Sequence, residues 1–113
     1  MYIMLKVEDF LKAGYKKFAN PGINSAEYGL QKCISDAKGK KYFIDVWVYD
    51  FSMYKPVPEH QWTRFSSEAN FESKDLSFNT TLIQNEKTTV KNIEEFFESI
   101  WVKLGCGYYK LWD

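Results

Sequence analysis

The sequence predicts an α+β fold, a two-layer sandwich in which a four-stranded antiparallel meander carries the N- and C-terminal helices on one face. Two segments near the ends of the chain show the three-and-four spacing of apolar residues that is typical of helices. Four segments between them have the composition of strands. Short polar connections join the first to the second and the third to the fourth, as in two hairpins. We therefore expect one domain over residues 1–113, in the order α-β-β-β-β-α, with a short C-terminal strand as an open alternative for the tail.

Aromatic residues are unusually frequent in this chain. Of 113 residues, 19% are aromatic, with eight Tyr, nine Phe and four Trp. This number of rings exceeds what a two-layer core of this size usually absorbs, so some rings should stay exposed. The composition therefore favours a binding surface.

Fifteen basic and fifteen acidic residues cancel, which removes the general electrostatic attraction to nucleic acid or to an anionic membrane. All basic residues except Arg64 are Lys, and this bias, with many Asn, Tyr, Phe and Ile, is typical of AT-rich coding in low-GC bacteria and their phages. Cys33 and Cys106 lie far apart without metal-ligand spacing, so we expect free thiols. The first apolar run is too short for a secretion signal or a membrane span. We expect a cytoplasmic protein.

The first helix is predicted from Val7 to Phe18. Acidic residues occupy its first turn and Lys16 and Lys17 its last, which matches the helix dipole. Asn20-Pro21-Gly22 then ends it. The apolar stripe consists of Val7, Phe10, Leu11, Gly14, Tyr15 and Phe18.

The most strongly strand-forming stretch is Lys41–Phe51, and Glu27–Ser35 is its predicted hairpin partner. If Asp36 pairs with Lys40, the loop consists of the three residues 37–39. A three-residue hairpin loop needs a left-handed residue, and Gly39 supplies it. In this register Gly29 lies opposite Trp47, and the missing side chain leaves room for the Trp47 ring to cross the neighbouring strand.

The two faces of this strand differ. The even positions are Tyr42, Ile44, Val46 and Val48 and suit a core under the helices. The odd positions place one carboxylate among four aromatic rings: Phe43, Asp45, Trp47, Tyr49 and Phe51. That second face is either free to bind a partner or covered by the C-terminal tail or by the following loop.

The connection Ser52–Gln61 is long and contains two prolines, which excludes a central strand. Long loops in compact domains are often functional, so this loop is a second candidate site. Its side chains with binding potential are Tyr54 and His60, and Trp62 follows it.

A second hairpin is predicted from Trp62–Phe71 and Leu76–Ile83, with Phe71 opposite Leu76. This pairing separates an apolar face from a polar one. The last helix is predicted over Val90–Leu104, with Thr88, Thr89 or Asn92 as its cap and Gly105 after it.

No catalytic or cofactor motif is present, and we expect neither enzymatic activity nor a cofactor or metal. His60 beside Glu59 is the one candidate general base, and it would need a further acid in a cleft. A single His and two distant Cys do not make a structural zinc site.

The sequence thus predicts a small non-enzymatic protein-binding module, of inhibitor, immunity or adaptor type and of phage or mobile-element origin. Its partner is another protein or a second copy of the chain; nucleic acid is disfavoured as a partner and no membrane is expected. The alternative is a nucleotide, small-molecule or single-stranded nucleic-acid binder that uses the same rings. The predicted binding residues are Phe43, Asp45, Trp47, Tyr49, Phe51, Tyr54, His60 and Trp62.

Overall fold

The computed structural model describes residues 5–36, 39–54, 56–59, 62–72, 77–83 and 88–103. The elements in chain order are α1 (Val7–Lys12), β1 (Lys16–Ala19), β2 (Tyr28–Ser35), β3 (Lys41–Asp50), β4 (Thr63–Glu72), β5 (Ser77–Ile83) and α2 (Val90–Lys103). The strands form one antiparallel sheet in the order β1-β2-β3-β4-β5. The predicted α+β class and the antiparallel meander between terminal helices are confirmed, and β1 adds a short edge strand.

The first helix is shorter than predicted because Gly14 ends it. Gly14 has a φ of 98°, and its N–H donates to the Leu11 carbonyl at 3.1 Å. The Tyr15 N–H donates to the Phe10 carbonyl at 3.0 Å, and the two rings meet edge-on with centroids 5.3 Å apart. These bonds and this contact define a Schellman motif, in which a left-handed Gly follows the helix. The residues after it are therefore free to form β1 instead of two more helical turns.

The β2–β3 hairpin has the predicted register. Leu30 pairs with Val46 and Gly29 with Trp47, and the Asp36 N–H donates to the Lys40 carbonyl at 2.8 Å. Gly39 has a φ of 79°, as the predicted turn requires.

The β4–β5 hairpin is shifted by two residues from the predicted register. Phe71 pairs with Phe78, where Leu76 was predicted. Because side chains alternate with period two, a shift of two leaves the residues of β4 on the faces that were predicted for them.

The core lies between the sheet and the two helices. Phe10 of α1 and Ile93, Phe97 and Trp101 of α2 are buried against the even positions of β3 and the apolar positions of β4. The ring of Trp101 stacks on that of Phe71, with centroids 5.8 Å apart. The helices therefore cover one face of the sheet, as predicted, and leave the other uncovered by any described helix.

Polar contacts fix α2 on the sheet. Glu94 accepts hydrogen bonds from the Tyr15 hydroxyl and the Lys32 ammonium, both at 2.9 Å. The Trp101 indole N–H donates to Asp36 at 3.2 Å. Within the described part of the chain, no helix has both the length and the apolar character needed to cross a membrane.

The N terminus of α2 is closed by Thr89 and Asn92. The Asn92 N–H donates to Thr89 Oγ1 at 3.1 Å, and the Thr89 N–H donates to Asn92 Oδ1 at 3.3 Å. This reciprocal arrangement satisfies donors that a helix start leaves without partners. Of the three predicted caps, Thr89 takes the role. The predicted C-terminal end at Leu104, the cap Gly105 and the tail lie outside the described residues.

Candidate functional site

The outer face of the sheet, which is the face opposite the helices, carries the odd positions of β3. The structure separates these residues into buried and exposed ones. Asp45 and Trp47, in the middle of the strand, are only 7% and 5% exposed, whereas Phe43 near the β2–β3 turn is 40% exposed. Tyr49 and Phe51, at the other end, are half-buried. The middle of the predicted binding face is therefore not accessible to a partner.

Trp47 is closed in by Phe18 of β1. Phe18 pairs with Gly29, and Gly29 pairs with Trp47, so the three residues form one row across the sheet. The Phe18 ring lies over Gly29 and meets the Trp47 ring edge-on, with centroids 5.2 Å apart. The space over Gly29, which the sequence assigned to Trp47, is therefore filled by Phe18 of the neighbouring edge strand.

Asp45 is held by two side-chain amides on the neighbouring strands. Its Oδ1 accepts from Gln31 Nε2 at 2.8 Å and its Oδ2 from Asn70 Nδ2 at 3.2 Å. Burial raises the pKa of this carboxyl above its ordinary value, and the nearby Glu68, directly opposite it on β4, adds to the rise. Both carboxylate oxygens have partners within the chain, so Asp45 acts as a structural acceptor.

A group of three rings, two half-buried and one exposed, lies where β3 ends. Phe51 contacts Tyr49 and Tyr54, with centroids 6.4 and 5.5 Å apart. The guanidinium of Arg64, which pairs with Tyr49 across the sheet, lies 4.6 Å from the centroid of the Phe51 ring. We call Tyr49, Phe51, Tyr54 and Arg64 the ring cluster. Tyr54 is its most exposed ring, at 58%.

The loop that follows is fastened by its own backbone. The Phe51 N–H donates to the Trp62 carbonyl at 2.6 Å and closes it. Bonds of 3.0 Å from Tyr54 to Phe51 and from Val57 to Tyr54 fold its first half into two turns. The Trp62 indole N–H then donates to the Val57 carbonyl at 3.0 Å. These hydrogen bonds fix the backbone of Tyr54 and the indole of Trp62 within the described part of the loop.

Two further apolar side chains extend this surface. Met53, beside Tyr54, is 87% exposed, and Ile23 in the β1–β2 loop is 73% exposed. Both loops leave the same end of the sheet, because the Glu27 N–H donates to the Val48 carbonyl at 2.8 Å next to the end of β3. One loop joins β1 to β2 and the other joins β3 to β4, so they lie two strands apart in the sheet order. We call the ring cluster with Met53, Trp62 and Ile23 the sheet-end patch.

The loop that carries Ile23 is organised by Asn20. Its Nδ2 donates to the carbonyls of Asn24 and Ala26 at 3.0 and 2.8 Å. Its Oδ1 accepts from the N–H groups of Gly22 and Ile23 at 3.0 and 3.2 Å. Sequence reasoning missed Ile23, although an apolar residue next to Pro-Gly in a polar loop was a usable signal.

His60, the predicted general base and one of the predicted binding residues, lies outside the described residues, whereas its neighbour Glu59 is described and exposed. The described residues contain no group of three or more His, Cys, Asp or Glu that could hold a metal ion. Cys33 is a free thiol exposed on the outer face, and Cys106 lies outside the described part of the chain.

The geometry therefore leaves the sheet-end patch as the candidate site: exposed rings, a Met and an Ile on two fastened loops, beside a closed central face. Among the described residues, it combines aromatic and apolar side chains with one guanidinium. Comparisons of the chain with models of protein families, with curated proteins and with solved structures found no match to any of them.

Proposed function

We propose that this protein is a small non-enzymatic binding module that engages another protein through the sheet-end patch. The observation that carries the proposal is the position of Tyr54. It is more than half exposed, contacts the Phe51 ring at 5.5 Å, and stands in a loop whose backbone is closed by its own hydrogen bonds.

The residue types of the patch support a protein partner. Tyr, Trp, Met and Arg are enriched in the centres of protein interfaces, and the residues that carry most of the binding energy are often Trp, Tyr and Arg. The sheet-end patch contains all four types within one end of the sheet. Phe43, the exposed ring at the opposite end of the outer face, lies instead between Cys33 of β2 and Asn70 of β4 in the sheet.

The hydrogen bonds of the loop support binding for a second reason. A side chain that is already held in place loses less conformational entropy when a partner binds it. The turns from Phe51 to Val57 and the indole bond of Trp62 supply such preorganisation. An inhibitor, immunity or adaptor role fits a domain of this size, and the composition suggests a phage or mobile-element origin.

The test is affinity capture with chemical cross-linking. The tagged protein is added to a lysate of the organism that carries its gene, with and without nuclease. The patch variant combines Met53→Ser with Tyr54→Ala, and the control is Phe43→Ala, which removes a comparably exposed ring from the same face. We expect one protein to be captured by the wild type and the control but not by the patch variant, regardless of nuclease, with cross-links at residues 50–62.

Light scattering of the same variants measures their solution mass and so tests whether the partner is a second copy of the chain. A wild-type dimer that becomes a folded monomer in the patch variant would make the patch a self-interface. Capture that disappears with nuclease would favour the single-stranded nucleic-acid alternative, in which the same rings stack on bases. Capture that is equal for the wild type and the patch variant would contradict the proposal.

A further inference from the structure

We infer that β5 is an interface between two copies of this chain, which pair through it in antiparallel fashion about a two-fold axis near Thr80. This surface is separate from the sheet-end patch, so the inference goes beyond the proposed function. It is carried by the place of β5 in the sheet, by the distribution of charge along the two edges, and by an exposed apolar side chain of α2 on the same side.

Strand β5 forms one of the two edges of the sheet. Among the described residues, β5 (Ser77–Ile83) pairs with β4 alone. An edge strand presents a row of backbone N–H and C=O groups with which another strand can pair. Strand β5 has seven residues and no Pro, so its sequence does not interrupt such pairing.

Charge distinguishes the two edges. The other edge, β1, has four residues and carries Lys16 and Lys17, both exposed, and Lys is the residue that natural proteins use to keep an edge from pairing. Strand β5 contains no charged residue. The segments on either side of it, 73–76 and 84–87, each contain one acidic and one basic residue, so neither adds net charge. The charged residues of β4 that pair with it, Glu68 and Glu72, lie one strand behind the edge.

The absence of charge favours a second copy as the occupant. In a two-fold antiparallel pair about Thr80, position 79 of one copy lies opposite position 81 of the other, so every charge in the strand would be repeated across the interface. Like charges directly opposite each other are destabilising, and β5 avoids this penalty. The chain has a formal net charge of zero, so two copies do not repel each other at long range.

The second observation is an exposed ring on α2. Glu94 accepts a hydrogen bond from Lys32 of β2 at 2.9 Å, so this flank of α2 faces the β2 side of the sheet. Phe96 is about 200° further round the helix and therefore lies on the other flank, toward β4 and β5. Its ring is 37% exposed and meets Phe97 edge-on, with centroids 5.2 Å apart. Phe97 in turn contacts Phe71 of β4, with centroids 6.4 Å apart.

A strand that is added to β5 meets this flank of α2. It lies two strand spacings, roughly 10 Å, from β4, and a helix with its side chains is about 10–12 Å across. Phe96 of each copy is therefore placed to cover the strand that the other copy adds, so each copy supplies both an edge and an apolar side chain, as a two-fold interface requires. Lys103 follows Phe96 on the same flank, two helical turns later, and the two-fold axis sets the Lys103 residues of the two copies at opposite ends.

The test measures solution mass by light scattering over a range of protein concentrations, together with hydrogen exchange of the β5 backbone amides. The edge variant is Asn79→Lys with Thr81→Lys, which brings like charges opposite each other in the proposed pair. The matched control is Ala19→Lys with Ser25→Lys, which adds the same charge at exposed positions beside the other edge. A further variant, Phe96→Ser, leaves β5 unchanged, and thermal unfolding checks that all variants are folded.

We expect the wild type and the control to form a dimer of twice the 13.4 kDa of one chain. The edge variant and Phe96→Ser should each raise the dissociation constant of the dimer about tenfold or more. The β5 amides of the wild type should exchange more slowly as its concentration rises. A wild type that stays monomeric at millimolar concentration, or an edge variant or a folded Phe96→Ser variant that dimerises as tightly as the wild type, would overturn the inference.

The two proposals fail in different ways. A monomeric wild type that still captures another protein through the sheet-end patch would overturn the β5 interface and leave the proposed function standing. A dimer that the edge variant disrupts, together with equal capture by the wild type and the Met53→Ser, Tyr54→Ala variant, would support the β5 interface and contradict the proposed function.

Discussion

The ring of Phe18 lies in the space that a side chain at Gly29 would need. A Cβ atom placed at position 29 would overlap the Phe18 ring, which in turn packs edge-on against Trp47. The short edge strand β1 is thus joined to the sheet by an aromatic contact in addition to its backbone pairing. This contact decides which rings of the outer face reach solvent.

A double-mutant cycle measures this contact. We expect Gly29→Ala to lower the free energy of unfolding by about 1–3 kcal/mol, because the Phe18 ring must leave its place. In a Phe18→Ala background the same Gly29→Ala change should cost little or even stabilise, since Ala suits a strand better than Gly. Urea unfolding gives the four values, and a red-shifted Trp emission would report exposure of Trp47. Equal losses in both backgrounds would contradict the overlap.

Asp45 should make stability depend on pH. Its native pKa is raised above the ordinary value of 3.8, so the folded protein holds this proton more tightly than the unfolded chain. The resulting stabilisation is complete below about pH 3.8 and is lost as pH rises through the native pKa. We expect the free energy of unfolding of the wild type, relative to Asp45→Asn, to fall over that window. Urea titrations of both proteins at a series of pH values measure it, and a constant difference would exclude the effect.

Tyr15 should limit stability in alkali. The phenol is 3% exposed, and burial together with Glu94 raises its pKa well above the ordinary value of 10.0. The Tyr15 phenol ionises near pH 10 in the unfolded chain but stays protonated there in the native protein. The free energy of unfolding therefore falls as pH rises above that point. Tyr15→Phe should remove part of this fall and cost about 1–2 kcal/mol at neutral pH through the lost bond to Glu94. Thermal unfolding from pH 8 to 11 tests both expectations, with Tyr54→Phe as the exposed control.

Truncation of Trp47 should lower the free energy of unfolding strongly and truncation of Tyr54 hardly at all, although both residues were predicted to bind a partner. Trp47 is buried and its indole N–H donates to Glu68 at 3.0 Å, so Trp47→Ala should cost about 3–5 kcal/mol. Tyr54→Ala should change the free energy of unfolding by less than about 0.5 kcal/mol. Denaturant unfolding of the two variants distinguishes a residue that stabilises the fold from one that only lies on the surface. A large loss for Tyr54→Ala would mean that the ring cluster is structural.

The register of the first hairpin could be predicted because local chemistry determines it. Asp36, Gly39 and Lys40 permit one short turn, and that turn fixes every pair from Tyr28 to Lys41. The second hairpin has no comparable Gly in its turn, and sequences with alternating faces tolerate a shift of two residues. Its faces were therefore predictable while its pairs were not.

The wrong assignment of Phe18 to the first helix originates at Gly14. Its position fits both the apolar stripe of a longer helix and the left-handed end of a shorter one, and periodicity does not distinguish the two. Assigning Phe18 to the helix removed it from the sheet, so the burial of Trp47 could not be foreseen. The exposure of Tyr54 and Trp62 followed more directly from the proline-rich loop, whose composition excludes a central strand.

The order of the strands has a consequence for how the chain folds. Every strand pairs with the next one along the chain, so the sheet can grow from the β2–β3 hairpin without closing a long loop. Docking of α2 brings together partners that are far apart in the sequence, Tyr15 with Glu94 and Asp36 with Trp101. We expect fast folding for a protein rich in strands, with a transition state in which the central hairpin is formed and α2 is still largely undocked.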